Sequence, residues 1–526
     1  MSGTPATRLP TDRRRRPRIS TEATVLRAHA SDASHRQGAP RAVAFPESEG
    51  EWSELLAGQQ PLVALGAQSS LTGGATPAGA MAVATAGLTE VLQDRGDRLR
   101  VQPGLSLVRL LELLQDGDRS FPPVPTHLGA TCGGVVSTNA SGARTFKHGS
   151  TRPWVTGLTV GLAGGELIDL ERGQCLAEPG GVFELERAGG GRLRLPAPVE
   201  PRPAVPKCAA GHLFAPADGS PCDLIDLFIG SEGTLGLVLE VELAVRARDR
   251  DELLLAVPFA DVLTALRRVE LLTRSRDLDL AGIEHLDGAC LRLLNEEGIP
   301  GRLGFRFPDP CETVLLLLVD LPRSDDHSDL VDQLAATGQG ASTPLSGLFA
   351  ALADDGVELE RIELALPGDH ARREAFFALR ESAPELVNHR IGHHRQSEPR
   401  LHKVGGDPIV PVECLPELIG AAADLAEQAA LELVTWGHAS DGHLHPNVIP
   451  RDYDELRRGE ELQLALGRLA IELGGAPLAE HGVGRHPIKQ RLLAEFLGPE
   501  GLARARAMKR ALDPRGILAP GVLLPS

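Results

Sequence analysis

The chain has 526 residues, of which 42% are hydrophobic, and a formal net charge of -17 at pH 7. This length exceeds the size at which one hydrophobic core keeps growing, so two or three domains are expected. The negative charge is spread along the sequence, which excludes nucleic acid as a general partner, and no apolar stretch reaches the roughly 20 residues of a transmembrane segment.

The N-terminal residues and the cysteines give indications of the cellular compartment of the protein. The basic run at residues 13–16 precedes no apolar signal-peptide core, so we interpret it as a disordered start rather than a targeting or polyanion-binding tag. The seven cysteines are odd in number, scattered and never in a C-x-x-C pair, which excludes a sequence-evident iron–sulfur cluster or cysteine zinc site. They suit a reducing cytoplasm, and a peripheral position at the inner membrane face is left open.

The first half of the chain is predicted to be a β-rich domain. After an N-terminal extension at residues 1–40, residues 41–246 alternate β-branched runs with Gly-rich turns. This pattern predicts several strands, among them 61–65, 155–160 and 235–243. Residues 187–206 are rich in Gly, Pro and Arg and are interpreted as an exposed excursion.

The second half changes to amphipathic helices separated by strands. Residues 247–473 form the predicted second domain, with helices at 259–275 and 453–473 and a strand at 313–319. Residues 474–526 form a C-terminal segment with a helix at 501–512, which Asp513-Pro514 ends. The fold class is therefore α+β.

Three loops of small residues each lie at the edge of a predicted β element. The first, residues 65–74, places glycines and hydroxyls after a buried strand, where successive N–H groups can form an anion-binding nest suited to a diphosphate. It matches neither the Rossmann nor the P-loop spacing. The second is residues 125–142 and the third is residues 229–236, and three such loops are hard to explain as turns alone.

These loops resemble the flavin-binding domain of the vanillyl-alcohol oxidase superfamily, the PCMH-type FAD-binding proteins, in the branch of D-lactate dehydrogenase, glycolate oxidase and D-2-hydroxyglutarate dehydrogenase. The resemblance covers nearly the whole chain. It includes further motifs in family order: Leu379-Arg-Glu381, Lys403-Val-Gly-Gly-Asp-Pro-Ile-Val-Pro411, Gly437-His-Ala-Ser-Asp-Gly-His-Leu-His445, Glu480-His-Gly-Val-Gly484 and Leu512-Asp-Pro-Arg-Gly-Ile-Leu-Ala-Pro-Gly521.

The resemblance implies a two-part FAD domain, a cap domain with an antiparallel sheet that binds the substrate, and a C-terminal segment that returns to the FAD domain. The implied cofactor is FAD, and it is not covalent, because covalent relatives often have a histidine in the first loop where this chain has Gln68 and Ser69. The implied FAD-binding residues are Gly66, Ala67, Gln68, Ser69, Ser70, Gly73, Pro125, Ala130, Thr131, Gly133, Gly134, Asn139, Ser141, Gly142, Glu232, Gly233 and Val238.

A histidine-rich hairpin can be interpreted without the family. Asp441-Gly442 between alternating residues predicts a two-residue turn, which sets His438 opposite His445 with His443 on the same face. Two imidazoles so placed can share a metal ion, although satisfied core histidines or a solvated hairpin are an equal alternative for the pair alone. The resemblance adds Glu480 as a third ligand, and a His₂Glu set is typical of a catalytic divalent metal, zinc first and manganese second.

The resemblance also implies the catalytic residues. His481 is the expected base that accepts the substrate hydroxyl proton, with a loop-stabilising hydrogen bond as its alternative role. Arg380 and Lys403 are expected to bind the substrate carboxylate. Relatives have asparagine at the position of His443, which makes His443 a candidate catalytic group or further ligand. Relatives also often read Asn-Pro-Gly-Lys where this chain has Ala519-Pro-Gly-Val522.

The predicted activity is oxidation of a D-2-hydroxy acid to the 2-oxo acid by hydride transfer to flavin, assisted by the metal and the histidine. The implied electron acceptor is a quinone, cytochrome c or electron-transfer flavoprotein, and a homodimer is one assembly open to the chain. Two alternatives remain. A metal-dependent hydrolase is disfavoured because it would leave the Gly-rich loops without a role. A scaffold flavoprotein subunit of a larger dehydrogenase is kept open by the changed residues His443 and Ala519.

Overall fold

The computed structural model describes residues 5–10, 16–178, 180–324, 330 and 343–524, so residues 13–15 of the basic run lie outside it. The chain divides into two compact units. The first unit comprises Met1–Gly142, Gly149–Arg248 and Ala476–Ser526, and the second comprises Ala143–His148 and Asp249–Gly475. The fold class is α+β as predicted, and the C-terminal segment returns to the first unit as predicted.

The first unit contains two main sheets. In spatial order, the six-stranded antiparallel sheet consists of Thr7–Arg8, Leu167–Glu171, Val155–Gly161, Leu237–Ala244, Arg98–Val101 and Val91–Asp94. The four-stranded sheet consists of Arg18–Ser20, Val43–Phe45, Met81–Ala84 and Leu62–Leu65, of which the last three are parallel. Two small antiparallel pairs are Val182–Glu186 with Arg192–Pro196 and Arg119–Ser120 with Arg246–Ala247. Residues 5–40 thus contribute two strands to these sheets.

Some helices of the first unit begin at residues whose side chains cap them. Ser48 and Ser106 each accept a hydrogen bond from a main-chain N–H of the first turn, which satisfies a donor that has no partner within the helix. The helices are Ala23–Ala28, Glu49–Ala57, Leu107–Asp116, Cys132–Thr138 and Pro487–Leu512, with single 3₁₀ turns at Arg152–Trp154, Gly211–Leu213 and Leu224–Leu227. The predicted helix at 501–512 is the second half of Pro487–Leu512, which is kinked at Gly498 with φ 64°.

The second unit is built on one seven-stranded antiparallel sheet, as the resemblance implies. Its strands in spatial order are Glu363–Ala365, Arg250–Phe259, Thr313–Pro322, Leu280–Asp287, Leu433–His438, His443–Val448 and Val404–Gly405. Both faces of its central strands are apolar: Leu315 and Leu317 belong to one buried cluster, and Leu316 and Leu318 to another. Helices therefore cover the sheet on both sides.

The helices of the second unit follow the predicted amphipathic pattern. They are Thr145–His148, Val262–Arg274, Gly288–Glu296, Ile299–Arg302, Pro344–Asp354, His370–His394, Leu415–Gln428 and Tyr453–Glu472, with 3₁₀ turns at Leu359–Arg361, Val412–Cys414 and Ala439–Asp441. Within the described part of the chain, no helix combines the length and the apolar composition that crossing a bilayer requires. The seven cysteines are all free thiols.

Candidate active site

The three glycine-rich loops pack against one another in the first unit. A side chain at Gly66 of the first loop would place its Cβ 2.4 Å from the hydroxyl of Thr131 in the second. The third loop is hydrogen-bonded to the second, because Gly230 N donates to Val136 O at 2.9 Å and Glu232 N donates to Ser137 O at 2.8 Å. The glycines thus allow backbone segments to approach more closely than any side chain would permit.

The first loop presents a row of main-chain donors. Among the described residues, no acceptor is found for the N–H groups of four consecutive residues, Ala67, Gln68, Ser69 and Ser70. Gln68 has a left-handed backbone with φ 54°, and its side-chain amide donates to the carbonyls of Ala28 and Ser31. Consecutive unsatisfied N–H groups form an anion-binding nest, so this loop fits the diphosphate of a dinucleotide such as FAD.

Other predicted cofactor residues shape the loops through their own side chains. Asn139 ends the helix Cys132–Thr138 with φ 50°, and its Oδ1 accepts a hydrogen bond from Arg152 N at 2.9 Å. Ser70 Oγ accepts from the N–H groups of Thr72 and Gly74. The remaining predicted cofactor residues lie on the same three loops or beside them: Gly73, Pro125, Ala130, Gly133, Gly134, Gly142, Gly233 and Val238.

Glu480 and His481 lie in the first unit, on a loop whose residues 480–485 we call the base loop. Glu480 Oε2 accepts hydrogen bonds from Lys207 Nζ at 2.8 Å and from Ser141 Oγ at 3.0 Å. The Lys207 side chain is buried, so this is a charge-assisted contact in a region of low dielectric. His481 Nε2 lies 3.7 Å from Glu480 Oε1, and its side chain is 27% exposed, which leaves the imidazole accessible to a small molecule.

The histidine hairpin forms in the second unit, but the predicted register is wrong. The strands pair His438 with His443 and Trp436 with His445, because the loop has four residues rather than two. Asp441 ends a 3₁₀ turn and only Gly442 has positive φ, at 76°, whereas the predicted turn requires both residues to have it. The predicted and observed registers differ by two residues along one strand. Because side chains alternate between the two faces of a sheet, a shift of two residues leaves each side chain on the predicted face.

The three imidazoles therefore meet on one face of the sheet. The ring centroids of His443 and His445 lie 4.3 Å apart, and His438 lies 5.5 Å from each. All three residues are buried. Three buried imidazoles at this spacing are the nitrogen donors that zinc and related divalent metals prefer, so the donor set fits a metal ion.

Two buried carboxylates orient these rings. Glu284 Oε1 pairs with His438 Nδ1, and Asp407 Oδ1 pairs with His443 Nε2 at 2.9 Å. A carboxylate on one ring nitrogen fixes the tautomer and directs the other nitrogen, here Nε2 of His438 and Nδ1 of His443, toward a metal. Burial acts to raise the pKa of Glu284, but the charges of His438 and Arg380 outweigh it and lower the pKa to about 2.

The two predicted carboxylate-binding cations also lie in the second unit. Arg380, on the helix His370–His394, donates from Nε to Glu284 Oε2 at 2.7 Å, and no acceptor among the described residues engages its terminal nitrogens. The half-buried Lys403 has no carboxylate partner there, and its Nζ lies 5.2 Å from the centroid of the Trp436 ring. Burial and then the charge of Arg380 lower the pKa of Lys403 to about 8.

Sequence reasoning missed three residues of this arrangement. Asp407 stands inside the quoted motif that begins at Lys403, so that motif contained the signal. Glu284 lies in the buried strand Leu280–Asp287, and an acidic residue inside a buried strand indicates a partner. Lys207 is surrounded by Pro, Cys and Ala, and nothing in that pattern points to its contact with Glu480.

The altered C-terminal motif has a strained backbone. Ala519 is buried with φ 41°, and its N–H donates to Leu62 O at 2.8 Å. Asparagine tolerates this left-handed conformation better than alanine does, so the asparagine usual in relatives suits the position. In this chain the hydrogen bond to Leu62, in the strand Leu62–Leu65, helps to hold Ala519 in this conformation.

Comparison with known proteins identifies relatives across the chain. It is 27% identical to the glycolate oxidase subunit GlcD of Bacillus subtilis, over 92% of this chain and 89% of the relative. It is 26% identical to the mitochondrial D-lactate dehydrogenase [cytochrome] of Arabidopsis thaliana, over 92% of this chain and 74% of the relative. Solved alkyldihydroxyacetonephosphate synthase has the same fold, with a TM-score of 0.59 at 14% identity over 95% of this chain and 83% of that one.

Two family models match the chain in order. The model described as "FAD binding domain" matches residues 40–171, which include the first two glycine-rich loops. The model described as "FAD linked oxidases, C-terminal domain" matches residues 248–523, which include the histidine hairpin and the base loop. Since the second match alone spans more than half of the chain, the protein belongs to the FAD linked oxidases, a family of FAD-dependent oxidoreductases.

Proposed function

We propose that this protein is an FAD-dependent dehydrogenase that oxidises a D-2-hydroxy acid of the D-lactate, glycolate or D-2-hydroxyglutarate class to the 2-oxo acid. The observation that carries the proposal is the pair of cations, Arg380 and Lys403, in the same unit as three clustered imidazoles. The names of the relatives from Bacillus subtilis and Arabidopsis thaliana point to the same substrate class.

The cations favour an anionic substrate. Lys403 has no carboxylate partner among the described residues, and Arg380 meets Glu284 only through Nε. The half-buried ammonium of Lys403 is costly to keep without a counterion, and a substrate carboxylate offsets this cost. The terminal nitrogens of Arg380 match a carboxylate in two parallel hydrogen bonds.

The proposed reaction uses residues of the chain together with two groups, FAD and a divalent metal. The three glycine-rich loops would hold FAD, which would supply the acceptor for the C2 hydrogen as hydride. A bound divalent metal, zinc first and manganese second, would supply a Lewis acid that lowers the pKa of the substrate hydroxyl. His438 and His445 are its proposed ligands, with His443 as a further candidate, and the family resemblance adds Glu480.

His481 is the proposed base. It accepts the proton of the substrate's 2-hydroxyl, and a neutral imidazole has the pKa range for this at neutral pH. Glu480 Oε1 lies 3.7 Å from Nε2 of this imidazole. The proposed acceptor of the electrons is a quinone, cytochrome c or electron-transfer flavoprotein.

We expect the purified protein to be yellow and to release FAD into solution on treatment with acid or heat. The reason is that the first loop offers main-chain N–H groups for the diphosphate and no histidine for a covalent bond. Absorbance of the supernatant after acid precipitation measures the released flavin. A colourless protein that binds no added FAD would contradict the flavin assignment, and a pellet that keeps the colour would contradict non-covalent binding.

The charge of Lys403 gives a pH dependence with a definite sign. Its pKa of about 8 means that the ammonium is present below pH 8 and is lost above it. Substrate binding should weaken accordingly, and kcat/KM should fall roughly tenfold for each pH unit above 8. Steady-state kinetics between pH 6 and 10 measure this effect. Lys403→Arg keeps its charge over the whole range, so the same alkaline fall in that variant would exclude Lys403 as its cause.

Substrate identity is tested by an anaerobic screen of 2-hydroxy acids that follows the flavin absorbance band. D-lactate, glycolate and D-2-hydroxyglutarate are the first candidates, and at least one should bleach the band and yield its 2-oxo acid. Matched compounds without the carboxylate, such as 1,2-propanediol beside D-lactate, should not bleach it. Equal bleaching by the diol would show that Arg380 and Lys403 do not select the substrate.

A further inference from the structure

The base loop is hydrogen-bonded to all three glycine-rich loops of the first unit. From the first loop, Thr72 O accepts from Arg485 N at 2.9 Å, and Thr72 Oγ1 donates to His481 O at 3.5 Å. Gly484 has φ 55°, and a Cβ there would lie 2.4 Å from Thr72 O. From the second loop, Ser141 Oγ donates to Glu480 Oε2. The flavin-binding loops and the base loop are thus parts of one assembly.

The contact from the third loop is made by a single carboxylate. Glu232 Oε1 accepts from Val483 N at 2.7 Å, and Oε2 accepts from Gly484 N at 2.9 Å. Both oxygens of one side chain therefore fix two consecutive peptide groups. A Cβ at Gly482 would lie 3.1 Å from Glu232 Oε1, so glycine at 482 permits the close approach.

The conformation of Glu232 also indicates a specific role. Its φ is 51°, and a non-glycine residue in this left-handed region persists only where its surroundings hold it there. Desolvation raises the pKa of Glu232 to about 7, against the effect of the two N–H donors. The chain thus keeps a strained, desolvated carboxylate at the point where it reaches the base loop.

We propose that Glu232 is a positioning residue, whose carboxylate holds the backbone of Val483 and Gly484 and thereby places Glu480 and His481 on the flavin-binding loops. The family resemblance implies that Glu232 is a cofactor ligand, and this proposal replaces that role. The chemical consequence rests on the proposed function of His481, but the structural part does not. Removal of the carboxylate should loosen residues 480–485 and leave the first two loops in place.

Hydrogen exchange of the full chain tests the structural part directly. In Glu232→Gln, one peptide N–H faces the amide NH₂ group instead of an oxygen. This buried donor then has no acceptor. Amides in a peptide covering 480–486 should therefore exchange roughly tenfold faster. Glu240→Gln is the matched control, since Glu240 lies in the same unit and pairs with Arg100. Unchanged exchange at 480–486 in Glu232→Gln would overturn the proposal.

A second variant and a second readout complete the test. If Glu232→Gln does not accumulate as folded protein, Glu232→Asp takes its place, because a carboxylate one methylene shorter cannot reach both N–H groups and should give the same faster exchange. FAD content should stay at the parent level in either folded variant, whereas a cofactor ligand would lose FAD. Exchange does not depend on substrate. Faster exchange in the folded Glu232 variants would therefore support the positioning role even if the parent protein oxidises no 2-hydroxy acid, a result that would reject the proposed function.

Discussion

Replacement of His481 by alanine is expected to slow substrate reduction of the flavin by roughly 10²–10⁴-fold, the contribution typical of a general base. Substrate binding should change much less, because the proposed contacts of Arg380, Lys403 and the metal with the carboxylate and hydroxyl do not involve His481. Rapid mixing under anaerobic conditions at saturating substrate measures this rate. Arg380→Ala should behave in the opposite way, raising KM with a smaller effect on the maximal rate.

His481→Gln separates the base from the loop. Glutamine can keep a hydrogen bond that supports residues 480–485 but cannot take a proton near neutral pH, so it should be as slow as alanine. A His481→Ala protein that reduces its flavin at the parent rate would reject the assignment.

The second large effect is expected from His438→Ala, which should abolish metal binding and substrate reduction of the flavin. FAD should remain bound, since His438 belongs to the second unit and the glycine-rich loops to the first. Metal content measured by elemental analysis, beside flavin content measured by absorbance, checks both statements. Full activity of a metal-free protein would overturn the metal's role.

Variants of the two carboxylates that orient the imidazoles test which histidines bind the metal. Asp407→Asn should lower metal affinity roughly 10–100-fold if His443 is a ligand, because the lost partner fixes that ring. If His443 is not a ligand, metal affinity should be unchanged in Asp407→Asn and reduced by changes at the proposed ligands and at Glu284, the partner of His438. Competition with a chromogenic chelator measures the affinities.

The hairpin shows how far sequence reasoning reaches. The alternation of His443 and His445 with Leu444 placed the imidazoles on one face, because alternation is a local property of a strand. The pairing was wrong because Asp441-Gly442 looks like a two-residue turn, whereas Val410 lies against Gly442: a Cβ there would meet the Val410 carbonyl at 1.8 Å. That contact comes from a distant segment, which a local pattern does not contain.

The same distinction between local patterns and long-range contacts holds for the fold and for the charged residues of the site. Strands such as Val155–Gly161 and helices such as Tyr453–Glu472 follow periodicity, and the sequence predicts them. The pairs Glu284 with His438 and Lys207 with Glu480 join residues far apart in the chain. One sequence gives the residue types but not the pairings. The pairing of Glu284 with His438 lowers the pKa of Glu284 and orients the imidazole.

The central claim is that a 2-hydroxy acid gives up its C2 hydrogen to bound flavin, and an anaerobic single turnover with C2-deuterated substrate tests it most directly. Flavin bleaching and 2-oxo acid formation should occur in equal amounts, and deuterium should slow both to the same extent, because the same C–H bond breaks in each. Formation of a product while the flavin remains oxidised, or bleaching that does not respond to deuterium under conditions where chemistry limits the rate, would contradict the account.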